Sequence, residues 1–481
     1  MVLPLPLVPF ERYMLADDRP AYPMNFFVRL RFAGRFDRPA LDAAMSAAIA
    51  RHPLLTAVAR RSRRGWIWEP AGSSPEVQWL TCTPSQSLPA LKALDVRVEP
   101  GFRVTACEGP GRTDLILQGH HACCDGLGTF AFAEDLLVSY AAARGAAPAA
   151  ALRPLEPQSL RRRGRFGLTT SQFLIALPKQ LVGLLGARQF LMRRPEPLVP
   201  VERQQAEKIP KSEIGNPSPA ESALPSGYPA SWTRQLDEPQ TAALLGATRT
   251  LGVTLNDLLL QGLFLCLARW RQRHGADRSR AWLRICVPMS LRTAALDRLP
   301  AANAATMVFL DRRPCDMSDR GQLLASIHKE MQLIKRMQLG LTFVLCLGLR
   351  RWLPGFDPAE RYDGPTNPGG VGRKPRKDRC FSTAILTNVG TLFGRCPLAD
   401  DRGRVTTGDI VLEDMDLLPP LRPLTNAAFT AWSYARRLNF TLHYDSRVLT
   451  EGEAAELLDD MIAGVQRSAE ARVQSAAEVG T

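Results

Sequence analysis

Apolar positions along the chain recur at two spacings, and the changes from one to the other mark its elements. Near the start, Val28 to Phe32 (VRLRF) alternates apolar and basic residues, the period-two pattern of a half-buried strand. After a turn, Leu41, Met45 and Ile49 fall at helical spacing until His52 and Pro53 stop the run. Asp37 is placed to cap this helix, with Pro39 in its first turn. The same device recurs in SWTRQLDEPQTAALLGATRTLG, where Asp237 and Pro239 open a helix after a short strand. A D-x-P match is weak by itself, yet its placement fits two related halves.

Between the two devices the pattern breaks down. Pro and Ala dominate 146–157, a basic cluster follows (Arg161 to Arg165, RRRGR), and 195–229 is rich in Pro, Ser and Glu, so this stretch reads as a linker. It carries one apolar, cationic segment, FLIALPKQLVGLLGARQFLMRR (Phe173 to Arg194), interrupted by Pro178. Two readings stand for it: a helix packed over the domain junction, the simpler one, or a peripheral contact with a membrane or lipid substrate. Beyond the linker, GVTLNDLLLQGLFLCLARWRQRHG is apolar nearly all round, which predicts a buried helix opened by Thr254 with Asp257 and closed by Gly275. WLRICVPMSLR (Trp282 to Arg292) and FSTAILTNVG (Phe381 to Gly390) predict interior strands. Gly364 to Arg379 is a basic loop whose glycines match neither a phosphate loop nor a dinucleotide fingerprint.

Length and composition turn this pattern into an organisation. At 481 residues the chain exceeds what one core supports, and the expected division is 1–160 as a first half, 161–230 as linker and 231–481 as a second half. The 45% apolar and 22% charged content is that of a globular protein. Ten cysteines scattered over a long chain, with no basic-then-apolar leader at the start, suggest reduced thiols and a cytoplasmic protein, with or without membrane association. The longest apolar run, Leu341 to Leu349, is about half the length a spanning helix needs. The net charge of +14 suits phosphorylated ligands, acidic proteins or anionic lipid; nucleic acid is not expected, because no recognised module accompanies the charge. The arginines at 60–64 and 269–280 read as solvated faces or as contacts for the phosphates of coenzyme A or an acidic carrier.

The densest candidate chemistry is LQGHHACCDGLG (117–128), between an alternating strand pattern with Leu115 and Leu117 and a helical one with Phe130, Leu137 and Tyr140. At such a strand end neighbours face opposite sides, so only one of His120 and His121 faces a given cavity. Metal binding is disfavoured, since structural zinc needs four ligands and no other Cys or His pair has matching spacing. A thiol nucleophile needs a lowered pKa and access, and Cys123 and Cys124 read better as small fillers of a tight turn. A histidine base remains, with an aspartate that needs a cationic partner and a glycine that leaves the approach clear. Of the other histidines, His52 and His274 read as helix-end residues, and His328 and His443 lack a local constellation.

His120, His121, Asp125 and Gly126 form H-H-x-x-x-D-G, which resembles the signature of the acyltransferase superfamily that includes chloramphenicol acetyltransferase, nonribosomal peptide condensation domains, polyketide-associated acyltransferases and bacterial wax ester synthases. Four further resemblances stand in the family's order around it. Gly34 to Leu55 is similar to its opening strand and helix, Val253 to Trp270 to the long helix of its second half, and VPMSLR (Val287 to Arg292) and LTNVG (Leu386 to Gly390) to its P-x-S-x-R and S-N-x-G segments. This chain has Thr before the Asn, two cysteines after the histidines, and no D-F-G-W-G segment, which disfavours the plant subfamily.

The resemblance implies an α/β fold of two similar chloramphenicol acetyltransferase-like halves with mixed sheets, joined by a crossover and enclosing a substrate tunnel. It implies that His121 is the general base, that Asp125 pairs with Arg292 of the other half to hold the turn, and that Asn388 lines the tunnel opposite, holding substrate or the developing oxyanion. The reaction implied is transfer of an acyl group from an acyl-CoA thioester to an alcohol or amine acceptor, a lipophilic one. No permanently bound cofactor is expected. The alternatives are an acyl or aminoacyl donor on the phosphopantetheine of a carrier protein, or a catalytically silent lipid-binding or scaffold relative.

Overall fold

The computed structural model describes residues 2–81, 88–145, 152–206, 224–225, 227–276, 278–349 and 380–479. The basic loop Gly364 to Arg379 and most of the Pro-, Ser- and Glu-rich stretch therefore lie outside the described residues.

The period-two pattern near the start becomes β2 (Asn25–Ala33), in which Phe26, Val28, Leu30 and Phe32 enter the main core while Phe27 and Arg29 face the other side. It pairs antiparallel with β7 (Arg112–His120), β7 with β6 (Phe102–Gly109), and β6 runs parallel to β5 (Val77–Thr81). The second half repeats this order. β8 (Ala230–Leu236) pairs antiparallel with β15 (Arg437–Tyr444), β15 with β14 (Ala427–Tyr434), and β14 is parallel to β11 (Ala384–Thr391). β9 (Leu283–Ser290) and β10 (Ala305–Arg312) extend that second sheet beyond β11. β1 (Leu5–Pro6), β4 (Gly65–Pro70) and β3 (Ala57–Ser62) form a small third sheet.

Helices repeat in step with the strands. α2 (Arg38–Ile49) follows β2 and α7 (Glu238–Thr250) follows β8; Asp37 caps the first by accepting from Ala40 N at 2.9 Å, and Asp237 the second from Gln240 N at 2.8 Å. α3 (Gly126–Ala143) packs on α2, and α11 (Glu451–Val479) packs on α7 and on α8 (Leu255–Arg273). The D-x-P device thus marks equivalent corners of two halves with one topology. α8 is buried nearly all round, as its sequence predicts, and forms a second core with α9 (Arg320–Arg336) and the back of the second sheet.

One strand departs from the division read from the sequence. β13 (Ile410–Leu418), within the stretch assigned to the second half, joins the first half's sheet alongside β2, with the two-residue β12 (Thr406–Thr407) at its edge. The reason is electrostatic as well as apolar. Arg29 Nε donates to Asp416 Oδ2 at 2.6 Å, both side chains are almost fully buried, and Arg31 also pairs with Asp416. Asp416 Oδ1 accepts from Thr233 of β8 at 2.7 Å, so one carboxylate bonds both sheets.

Two further features frame the site, of which the sequence pattern showed the linker helix but not α1. α1 (Pro9–Asp17) places Phe10 and Met14 on the wall of the cavity that His121 also lines. Its Glu11, wholly buried, takes a bidentate pair from Arg163 at 2.7 Å, a bond from Trp68 Nε1 at 2.9 Å and one from Val8 N at 3.0 Å. One arginine of the linker's basic cluster is therefore an internal anchor. The apolar linker segment folds as α4 (Thr170–Ala176) and α5 (Gln180–Met192), broken at Pro178; α6 (Val201–Ala206) follows, and α5 lies on α10 (Gly340–Leu349).

Candidate active site

β7 ends at His120, a tight turn carries His121 to Cys124, and α3 begins at Gly126, so the motif sits at a strand-to-helix corner. The two histidines face opposite ways. His120 is fully buried: its Nδ1 accepts from Ala122 N at 3.1 Å and its Nε2 faces Asp18 Oδ1 at 3.4 Å. His121 keeps part of its surface open to a cavity of about 230 Å³ between the two sheets. Its main-chain N–H donates to Met24 O at 2.7 Å, and the Phe26 ring meets its imidazole edge to face at 5.4 Å. Phe26 has room there because residue 119 is glycine; a Cβ would fall 2.4 Å from the ring.

Asn303 holds the main chain of His121 from the second half. Its Nδ2 donates to His121 O at 2.5 Å and lies 3.3 Å from Nδ1, which leaves Nε2 without a protein partner among the described residues. Burial lowers the His121 pKa to about 4, against the opposing pull of the Asp125 charge, so the ring is neutral near pH 7 and able to take a proton.

Asp125 has two structural jobs. Oδ1 accepts from Gly128 N at 2.8 Å and caps α3; Oδ2 accepts from Arg292 Nη1 at 2.6 Å and from Ala304 N at 2.9 Å, across the interface between halves. Burial alone would raise its pKa, but the Arg292 charge and these donors hold the carboxyl below its usual range. The facing loop, Ala301 to Ala304, is fixed residue by residue. Ala301 N donates to His52 Nδ1 at 2.8 Å, Ala302 O accepts from Arg292 at 2.9 Å, Asn303 meets His121, and Ala304 meets Asp125. Close approach demands small residues here, since a Cβ at Gly128 would lie 3.0 Å from Ala302 N. His52 is thus more than a helix end: it is buried, with Nε2 3.1 Å from Asp135. His328 also has a partner, Asp257 at 2.7 Å.

The cavity wall opposite His121 comes from β9, β10, β11 and β14. Asn388 lies on it, at a bulge where its Oδ1 accepts from Gly390 N at 3.1 Å, which leaves the amide N–H₂ as the free donor. Thr387 and Thr430 are register neighbours on β11 and β14; both line the cavity, and both hydroxyls are buried without a partner among the described residues. Both hydroxyls therefore stand at the cavity wall as available hydrogen-bonding groups. A Cβ on Gly126 would meet nothing within 4 Å, so the cavity is open at this corner, which His121 also lines. The remaining lining is mostly apolar, including Phe10, Met14, Phe27, Met289 and Leu417.

The cysteines lie behind this surface. Cys123 and Cys124 are fully buried, Cys123 Sγ donates to Gly101 O at 3.0 Å, and burial pushes its thiol well above the ordinary range, the opposite of what a nucleophile needs. Among the described residues no group of three or more His, Cys, Asp or Glu could hold a metal ion. His120, His121, Asp125, Gly126 and Arg292 thus converge on one corner, with Asn388 across the cavity. Asn303, Thr387, Thr430 and the α1 residues were not found from sequence; an alanine run around Asn303 was the only hint of the close-packed loop.

The first condensation domain of the CDA synthetase superposes with a TM-score of 0.65 over 97% of this chain and 96% of that one, at 13% identity. A polyketide synthase associated protein (number 5) from Mycobacterium tuberculosis gives 0.59 over 97% and 99%, at 14% identity. A mutant starter condensation domain of rhizomide synthetase, in complex with C8-CoA, gives 0.63 over 97% and 95%, at 13% identity. The two-lobed α/β fold of condensation domains is therefore the fold of this chain. In sequence, an uncharacterized protein of Mycobacterium tuberculosis, Rv2305, is 25% identical over 326 residues, 66% of this chain and 69% of that protein. No protein-family model matches the chain.

Proposed function

We propose that the protein is an acyltransferase of the condensation type, in which His121 acts as general base for attack of an alcohol or amine on an acyl thioester. One observation carries this reading. A neutral imidazole, whose proton is held on Nδ1 by a hydrogen bond to its own main-chain carbonyl, offers a free Nε2 to a mostly apolar cavity built from both halves. In the first step Nε2 takes the proton of the acceptor as its oxygen or nitrogen bonds to the thioester carbonyl carbon, and the carbonyl oxygen becomes an oxyanion. In the second step that oxyanion collapses, the carbon–sulfur bond breaks, and the imidazolium returns the proton to the thiolate. Free thiol and ester or amide leave; no acyl-enzyme forms.

Asn388 Nδ2 is the donor proposed for the oxyanion, and Thr387 and Thr430 the partners for polar atoms of the thioester arm. Asp125 and Arg292 act on the shape of the corner, outside the reacting atoms. The apolar lining favours a lipophilic acceptor, and donor and acceptor are proposed to enter the cavity along a tunnel from opposite faces. The rhizomide synthetase neighbour holding C8-CoA supports coenzyme A as the donor's carrier.

Purified protein given a panel of acyl-CoA thioesters with long-chain alcohols and amines is expected to release free thiol, and His121→Ala to stop the release. Turnover unchanged in that variant rejects His121 as the base. A carrier-bound donor is the second reading, supported by the condensation-domain neighbours; thiol release from acyl-phosphopantetheine carrier but not from acyl-CoA would select it. Inactivity with both donors, with lipid binding retained, would select a silent relative.

A further inference from the structure

The linker helices α4 and α5 are built inside out. A helix that folds against a protein turns its apolar stripe inward. α5 instead turns Gln180 and Gly183 inward: Gln180 Oε1 accepts from Thr342 Oγ1 of α10 at 2.7 Å, and Gly183 packs so closely on Thr342 that a Cβ would overlap it. Its far end is held through main-chain oxygens, with Arg284 donating to Phe190 O at 3.2 Å and to Arg193 O at 3.3 Å. Leu174, Ile175, Leu181, Leu184 and Met192 are left outside, while Val182, Leu185 and Leu191 border the chamber beneath α5. Leu174, Ile175, Leu181, Leu185, Leu191 and Met192 are each 58–70% exposed. Of the thirteen large apolar side chains exposed among the described residues, nine lie between Leu174 and Met192, so this is a patch and not scatter.

The charge carried by the linker segment itself has one sign, with Asp311 and Glu330 lining the chamber beneath α5. Residues 157–195 contain eight Lys and Arg and no Asp or Glu. Arg163 is spent on Glu11, but Arg161, Arg162, Arg165, Arg188 and Arg194 are exposed. Behind the patch, α5 roofs an apolar chamber of about 470 Å³ against β10, α9 and α10, and Met307 lines both this chamber and the cavity at His121. No single helix among the described residues is long and apolar enough to cross a bilayer.

We infer that α4 and α5 dock the protein on an anionic lipid surface, with the leucines entering the acyl boundary and the arginines meeting headgroups. An apolar face bracketed by cations, with acidic residues excluded, is complementary to such an interface, and it lies in the surface rather than spanning it. The chamber beneath and its shared wall at Met307 put this face on the side from which a surface-borne hydrocarbon chain would approach. Docking stands on the patch and its charge, independently of acyl transfer.

Co-sedimentation of the full chain with vesicles tests it. The protein is expected to pellet with mixed phosphatidylglycerol and phosphatidylcholine vesicles and to stay largely in solution with phosphatidylcholine alone or at high salt. The variant Ile175→Glu/Leu181→Glu/Leu184→Glu, at exposed positions outside the chamber wall, is expected to lose about tenfold or more of the pelleted fraction. Its melting temperature, and its turnover of any soluble short-chain thioester, should be unchanged. Protein that stays in the supernatant with anionic vesicles, or a variant that pellets like the parent, overturns the inference. So does a wild-type dimer in sedimentation velocity that the variant abolishes without any vesicle binding, since a second copy would then cover the face. Loss of all thiol release with vesicle binding intact would instead count against the acyltransferase reading alone.

Discussion

His121 is pulled two ways, by burial that strips its charge and by a nearby carboxylate that favours it, and burial wins. The base form is therefore present well below neutrality. The pH profile of kcat/KM, measured briefly on protein held at pH 7, should stay flat through pH 6.5 and fall only near pH 4, where a free histidine would have lost activity earlier. Asp125→Asn should lower both rate and melting temperature. The loss is expected at about 2–3 kcal/mol, below the ~3–5 of a fully enclosed pair because Arg292 keeps 20% of its side chain exposed; normal melting with slow turnover would contradict the structural role. Gly126→Ala should fold normally, its Cβ meeting nothing, yet slow turnover of bulky acceptors as it fills space in the cavity that His121 lines. Asn388→Ala should lower kcat by about a hundredfold if its amide meets the oxyanion. Thr430→Val should instead raise KM and leave kcat nearly unchanged, which steady-state kinetics separates.

At the scale of elements, β13 carries the sharpest prediction. Asp416→Ala takes the nearer of two carboxylates from buried Arg29, Asp114 at 3.9 Å being the other, and removes the Thr233 bond between sheets, so unfolding should be easier by about 3 kcal/mol in denaturant titration. The repeated strand–helix corners, the buried helix α8 and the strands β9 and β11 were legible because each shows a clear period or cap within its own residues. β13 was not, because its partner is a buried ion pair with a strand 387 residues away, and no local spacing records that. At the site, the turn and its Arg292 partner were legible through a motif resemblance. Asn303 and the threonine pair were not, since an Asn in an alanine run and two Thr on strands look like ordinary residues until the halves close on them.

For the whole molecule, buried histidines set the response to acid. Burial holds His121 and His443 at about 4 and lowers His52 as well, below the ordinary 6.5 that the unfolded chain shows. Above pH 6.5 neither state is protonated and these groups contribute nothing to the pH dependence. Between 6.5 and about 4 the unfolded chain takes protons that the native state refuses, so stability falls as pH falls, by up to about 1.4 kcal/mol per unit for each histidine. His443→Asn, which keeps a donor for Pro419 O and does not titrate, should flatten this slope in melting curves taken from pH 7 to pH 4.5.

The strand that crosses between halves also sets a clock on synthesis. While the chain is being made, β2 presents its outer edge, and the Arg29 guanidinium lacks its nearer carboxylate, until Asp416 emerges 387 residues later. At ~5–20 residues per second that interval is about 20–80 s. An uncapped strand edge is a template for pairing with the wrong chain. The first half is therefore an unfinished product for most of translation, dependent on chaperone cover or fast release, and a fragment ending at residue 160 should collect as aggregate where the full chain is soluble.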